Sequence, residues 1–133
     1  MKLEVGQFVR TKSGYICKII NINDYREPNM KYGVEANYLR DVMFIGEDDV
    51  VKASYNIIDI LEEGDYANGY YVSKIWEKDE ITHYVNETPI KRKEREIVIQ
   101  APSYGGIEIL KNKNIKSVIT HEQMERMAYK VEK

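Results

Sequence analysis

Hydrophobic and polar residues alternate with a period of two along most of this chain, in stretches rich in Val, Ile, Tyr and Thr. Successive side chains of a strand point to opposite faces, so this alternation is the mark of half-buried β-structure. It predicts strands over Gln7–Thr11, Tyr15–Ile22, Glu35–Leu39, Asp41–Ile45 and Val50–Ala53 in the first part of the chain. In the second part it predicts Asp65–Ala67, Tyr70–Trp76, Glu80–Val85, Glu96–Ala101, Ile107–Leu110 and Ile115–Ile119. Turn-forming residues fall between them at Lys12-Ser13-Gly14, Asn68-Gly69 and Pro102-Ser103-Tyr104-Gly105-Gly106. The last of these is flanked symmetrically by Ile97-Val98-Ile99 and Ile107-Glu108-Ile109, which predicts a hairpin.

Two short helical pieces interrupt the strands. Ser54 is placed to cap one turn running from Asn56 to Leu61. Thr120-His121-Glu122-Gln123 has the spacing of a capping box, and Met124 and Met127 follow at a helical spacing.

The pattern is written nearly twice. Leu3-Glu4-Val5-Gly6-Gln7-Phe8-Val9 returns as Leu61-Glu62-Glu63-Gly64-Asp65-Tyr66-Ala67, 58 positions later (61 minus 3). Tyr15-Ile16-Cys17-Lys18-Ile19 returns as Tyr71-Val72-Ser73-Lys74-Ile75, 56 positions later (71 minus 15). On this alignment two residues are missing from the second hairpin turn, where length changes cost little entropy. A weaker match sets Val51-Lys52-Ala53-Ser54 against Ile115-Lys116-Ser117-Val118. Repetition of this kind marks tandem copies of one supersecondary unit. Five short, bent strands closed by a helical turn is the plan of a small SH3-like barrel, in which closure removes exposed edges. The expected fold is therefore mainly β. Two tandem SH3-like units, residues 1–57 and 58–133, pack together, each with a short helix near its C-terminal end. The join, Ser54 to Leu61, is apolar and not a flexible linker.

Composition changes the picture in three places. Of 133 residues, 43% are hydrophobic and 32% charged, the balance of a folded chain and not of a disordered one. Net charge is -2 but uneven. Met1–Pro89 holds 10 basic and 16 acidic side chains, against 10 and 6 in Ile90–Lys133. A basic segment this modest is the ordinary solvated face before it is a phosphate-binding one. Cys17 is the single cysteine and lies within an apolar strand, which points to a small buried filler. No apolar run reaches the ~20 residues that span a bilayer, and no signal peptide opens the chain, so a cytoplasmic protein with no membrane partner is expected.

Candidate chemistry is thin. His83 lies in an alternating strand, where a surface imidazole is the plain reading. His121-Glu122 begins a His-Glu-x-x-His zinc pattern, but Glu125 stands where the second His belongs. Glu47-Asp48-Asp49 lacks the spacing of a calcium loop and reads as a solvated turn. No catalytic residue, cofactor or metal is expected on these grounds. Lys91-Arg92-Lys93-Glu94-Arg95 reads as part of an exposed loop, Asn86 to Arg95, its positive field weakened by the interleaved Glu. The 11 tyrosines, against 2 Phe and 1 Trp, are the oddest feature of composition. A ring that buries while its hydroxyl stays wet suits strand faces and protein interfaces. Strict alternation puts Tyr70, Val72, Lys74 and Trp76 on one face and Tyr71, Ser73 and Ile75 on the other. The candidate partner-binding residues are accordingly Tyr70, Tyr71, Trp76, Lys91, Arg92, Lys93 and Arg95.

Several phrases resemble a family of small proteins carried by phages and prophages of low-GC Gram-positive bacteria. They are Val9-Arg10-Thr11-Lys12-Ser13-Gly14-Tyr15-Ile16 and the run from Val51 through Leu61 to Tyr70. Toward the end come Ile115-Lys116-Ser117-Val118-Ile119-Thr120, Glu122-Gln123 and Tyr129-Lys130-Val131. The resemblance implies a phage accessory protein of the host cytoplasm and brings no catalytic residues with it. The expected function is non-enzymatic: binding, and inhibiting, a host protein. A defence inhibitor such as an anti-CRISPR is its sharpest version. The alternative is a nucleic-acid-binding SH3-like module, with Arg10, Lys12, Lys18 and residues Lys91 to Arg95 on phosphates. A second alternative is a small enzyme in which carboxylates such as Asp59 or Glu62 meet in a cleft between the units.

Overall fold

The computed structural model of the chain describes residues 2–36, 42–101 and 105–127, with the backbone alone described over 79–85 and 89–93. The expected strand positions 37–39 and 41 and the turn residues 102–104 lie outside the described residues.

The chain is mainly β, as the alternation predicts. Strands β1 (Phe8–Thr11), β2 (Ile16–Ile22), β3 (Tyr32–Glu35), β4 (Met43–Ile45) and β5 (Val50–Ser54) form one antiparallel sheet, in the order β4-β3-β2-β1-β5. Strands β6 (Tyr66–Ala67), β7 (Tyr70–Val85), β8 (Thr88–Ala101), β9 (Gly106–Lys111) and β10 (Val118–Ile119) form a second, in the order β10-β6-β7-β8-β9. Adding five to each strand number converts one order into the other, so both sheets have the same topology. Neither closes on itself: β4 and β5 stand at opposite edges of the first sheet, and β9 and β10 at those of the second. A 3-10 turn, Ile57–Ile60, links the sheets, and helix α1 (His121–Met127) follows β10. Ser54 does not cap the linking turn as expected: its hydroxyl accepts from Asn56 N at 3.1 Å, but Asn56 is the N-cap residue and the turn has no side-chain cap bond. Thr120 acts as the sequence predicts. Thr120 and Gln123 complete a capping box, with bonds of 3.3 and 3.2 Å.

The Leu-Glu-x-Gly segments coincide bond for bond. Gly6 and Gly64 have φ of +94° and +96°, a region that favours glycine. Gly6 N donates to Ile19 O at 2.8 Å and Gly64 N to Val72 O at 2.9 Å. Glu4 N reaches the Gln7 side chain at 2.8 Å, and Glu62 N reaches Asp65 at 2.7 Å. These bonds also correct the second half of the sequence alignment. Phe8 pairs with Lys18 and Tyr66 with Tyr71, so the return strands are offset by 53 (71 minus 18) and not by 56. The second hairpin is therefore five residues shorter, not two, and Ile19 corresponds to Val72. The 3-10 turns before β5 and β10 fix the last offset. Gly46 N to Asp49 Oδ2 at 2.9 Å matches Lys111 N to Asn114 Oδ1 at 3.2 Å, 65 residues on, one more than the earlier match gave.

Three elements depart from the sequence pattern. β3 ends at Glu35, where the alternation had placed a strand start. A bulge between Val72 and Lys74 flips the alternation of β7, so Val72 and Ile75 face the core and Trp76 is turned outward. The expected loop Asn86 to Arg95 is strand: β7 and β8 run on as a hairpin, turning at Asn86 and Glu87 with φ of +51° and +66°. Residues 86–95 carry no apolar alternation, so the sequence pattern does not mark them as strand.

Each sheet keeps its own core. Leu3, Val9, Cys17, Ile19, Tyr32 and Val34 pack in the first unit; Ile58, Leu61, Ala67, Val72, Ile97 and Ile99 pack in the second. Cys17 is buried, and burial pushes its thiol up to about 11, which suits a filler and not a nucleophile. Phe8 and Tyr66, at equivalent positions of the two copies, are both half-buried. Their neighbours Val9 and Ala67 hold the core positions. Removing Phe8 accordingly costs less than a core truncation. Ile19→Ala, at a fully buried site, is expected to lower the free energy of unfolding by about 2–5 kcal/mol. Phe8→Ala should cost clearly less in the same urea titration.

Candidate functional site

β1 is covered on both sides. Val9 faces the core of its own unit, and Arg10, on the opposite face, is 1% exposed beneath the second unit. Its guanidinium forks onto Asp65, Nη1 to Oδ2 at 2.6 Å and Nη2 to Oδ1 at 3.0 Å. Nη1 also donates to Ile60 O at 3.2 Å, and Nη2 to Glu122 Oε2 at 2.8 Å and Oε1 at 3.1 Å. Nε lies 3.4 Å from Glu62 Oε2. Asp65 is fully buried and also accepts from Glu62 N at 2.7 Å and His121 N at 2.9 Å. Burial of two opposite charges is tolerable only when their hydrogen-bonding capacity is satisfied to this extent.

The repeat builds this place. Asp65 occupies the position of Gln7 in the first unit and bonds the same backbone N–H of its turn. The substitution of a carboxylate for an amide turns a local turn bond into an anchor for Arg10. α1 brings the remaining pieces by docking on the β1–β2 turn. The Thr120 hydroxyl donates to Gly14 O, Arg126 donates to Ser13 O, and the Arg126 guanidinium lies 5.1 Å over the Tyr15 ring. Gly14, at φ +84°, leaves the space that Glu122 fills: a Cβ there would sit 2.5 Å from Glu122 Cβ.

Around the buried pair lies a half-exposed rim of His121, Glu62, Glu122 and Lys52. His121 Nε2 is 3.0 Å from Glu62 Oε1 and 3.0 Å from Glu122 Oε1, and Lys52 Nζ is 3.2 Å from Glu62 Oε2. The hydrogen bond to Glu62, with the charges of Glu122 and Asp65, raises the His121 pKa above 6.5 despite burial and Arg10. Burial alone would raise both carboxyls. The hydrogen bond from His121 and the charges of Arg10 and Lys52 outweigh it at Glu62, and Arg10 outweighs it at Glu122, so both stay below 4.5. Carboxylates held ionised by fixed cations are suited to gripping positive charge.

Of the sequence-predicted residues, Trp76 and Arg95 come together. They line a groove of about 470 Å³ with Lys52, Leu61, Glu62 and Glu77. Trp76 is 40% exposed and donates Nε1–H to Glu96 Oε1 at 3.1 Å. Tyr70 and Tyr71 start β7 at the far end of the same strand, where Tyr71 meets Tyr66 edge-to-face at 5.7 Å. Lys91, Arg92 and Lys93 belong to β8, and their side chains lie outside the described residues. Glu62 does meet another carboxylate, Glu122, whereas Asp59 instead accepts from Ser54 Oγ at 2.6 Å. The sequence reading missed Arg10 as an anchor, together with Asp65 and Glu122. The signal available was the single acid-for-amide difference between copies, Asp65 for Gln7. No protein family, curated protein or solved structure matches the chain.

Two outcomes follow from the cluster. Arg10→Met and Asp65→Asn each strand a buried partner, and each is expected to cost about 3–5 kcal/mol in urea unfolding. The double variant should cost much less than their sum, because each change already breaks the same pair. For pH, His121 adds stability that is complete below 6.5 and is lost as pH rises through its raised folded value. Glu62 and Glu122 add stability that is complete above 4.5 and is lost as pH falls through their lowered values. The melting temperature is therefore expected to peak between pH 4.5 and 6.5, with His121→Ala flattening the alkaline limb and also weakening the acid limb, because His121 helps hold Glu62 and Glu122 ionised.

Proposed function

We propose that this is a non-enzymatic binding protein of phage or prophage origin that occupies a host protein, and that the β7–β8 ribbon is what it binds with. Inhibition of a host defence protein, of the anti-CRISPR kind, is the sharpest form of this reading. The common strand order, with a 3-10 turn before the last strand of each sheet, supports reading the units as SH3-like barrels left open between the fourth and fifth strands.

The observation that carries the proposal is the ribbon itself. β6 pairs with β7 only at Tyr70 and Tyr71, and β9 pairs with β8 only over Glu96–Ala101. From Glu77 to Val85 and from Thr88 to Arg95, the two strands pair with each other and, among the described residues, with no third strand. At ~3.3 Å per residue this gives an arm of about 30 Å. A lone two-stranded hairpin is at best marginally stable in water, so an arm of this length is best explained by a surface it lies against. Its root opens on the groove holding Trp76 and Arg95, an aromatic and a guanidinium of the kind that anchor interfaces.

Charge on the arm favours a protein over a nucleic acid. Arg95 stands opposite Glu77, and Glu94 opposite Lys78. The basic stretch Lys91–Arg95 thus runs beside the acidic stretch Glu77–Glu80, which lowers the field a phosphate backbone would need. The test replaces residues 79–93 with Asn-Gly, which joins the paired Lys78 and Glu94 through a two-residue turn. In a pull-down from host lysate, the full chain is expected to retain one protein that the shortened chain releases, while both chains melt alike. Equal retention by both, retention of nothing, or salt-sensitive retention on heparin would each defeat the proposal.

A further inference from the structure

The His121-Glu122 pair starts a metal-binding helix pattern whose second ligand the helix lacks, with Glu125 where a second His would stand. The fold supplies a ligand from elsewhere. Glu62, 59 residues earlier, brings Oε1 to 3.0 Å from His121 Nε2. Glu122 Oε1 lies on the same nitrogen, also at 3.0 Å. Glu62 divides its two oxygens, Oε2 to Lys52 and Arg10 and Oε1 to the imidazole, while Glu122 meets Arg10 with both oxygens and shares its Oε1 with the imidazole. Three atoms with lone pairs therefore converge, all within 4.8 Å of one another. A positive charge at their centre would add to the Arg10 and Lys52 contacts that the carboxylates already make.

A proton on Nε2 is one such charge, but it is a single donor shared between two acceptors. A divalent ion serves all three atoms at once. Tetrahedral zinc, with bonds of about 2.0–2.2 Å, separates its ligand atoms by about 3.4 Å, so the two distances to His121 Nε2, each 3.0 Å, need to open by only a few tenths of an ångström. One imidazole nitrogen with two carboxylate oxygens suits zinc and its neighbours better than calcium or magnesium. All three side chains are half-exposed, which leaves an entry path and an open position for water. Arg10 and Lys52 hold the outer oxygens in place, the part that hydrogen-bonded neighbours play around metal ligands.

The first unit shows the same place without the chemistry. At the offset of 65, His121 and Glu122 become Asn56 and Ile57 (121 minus 65, 122 minus 65). There Glu4, the counterpart of Glu62, accepts from the Tyr55 hydroxyl instead. The duplicated scaffold alone does not demand the triad, which belongs to the second copy.

We propose that Glu62, His121 and Glu122 form a divalent transition-metal site of the zinc type. The tag-free full chain, dialysed against chelator, is titrated with Co2+ as a visible probe. A saturable d–d absorption at one ion per chain is expected, and Zn2+ should displace it. His121→Ala and Glu122→Gln should each weaken Co2+ binding about tenfold or more. If His121→Ala fails to fold by circular dichroism, Glu62→Gln takes its place. No absorption with the wild-type chain, or the same absorption with a folded ligand variant, would overturn the site.

Discussion

Five N–H groups of one guanidinium decide how this molecule is assembled. Arg10 belongs to the first sheet, yet its counter-charges all come from the second unit: Asp65, Glu62 and Glu122. Hydrophobic burial alone would allow two small β-units to slide against each other. A forked bond to a fully buried carboxylate is directional, and sliding would leave both charges unpaired in a low-dielectric setting. The pair therefore adds little net stability but fixes one arrangement. Helix α1, the groove beside Lys52 and the imidazole rim take their positions from that arrangement.

Much of the fold was legible because duplication doubles the evidence. The Leu-Glu-x-Gly segments told of equal turns, and the shared positive φ of Gly6 and Gly64 shows why glycine stands in both. What failed was register. A bulge at Ser73 hides from a reading based on strict alternation, since it shifts every later residue by one face. It also made Tyr71–Ile75 look like Tyr15–Ile19 at an offset that the hydrogen bonds do not support. The second strand of the ribbon failed for a different reason: residues 86–95 carry no apolar alternation to mark them, whereas Glu80–Val85 does.

The site was less legible than the fold. Arg10 reads from the sequence as a surface cation of a strand, and only the packing of the second unit on the outer face of β1 buries it. His121 and Glu122 were visible as half of a pattern, and the partner that completes the cluster lies 59 residues away. Contacts of that separation leave no trace in local spacing. Tyr71 and Trp76 were visible by type, but the orientation of Trp76 depended on the bulge.

The span of the Arg10 contacts has a consequence for synthesis on the ribosome. Arg10 leaves the exit tunnel well before Glu122, which binds it and lies 112 residues downstream. The first sheet can pair its strands long before then, with its outer face wet and the guanidinium solvated. Desolvation of Arg10 must wait until β6 and then α1 have emerged, so a helix made 112 residues later closes a contact opened by β1. Assembly of the two units is in this sense timed by translation, with an early half held hydrated and receptive until its counter-charges arrive.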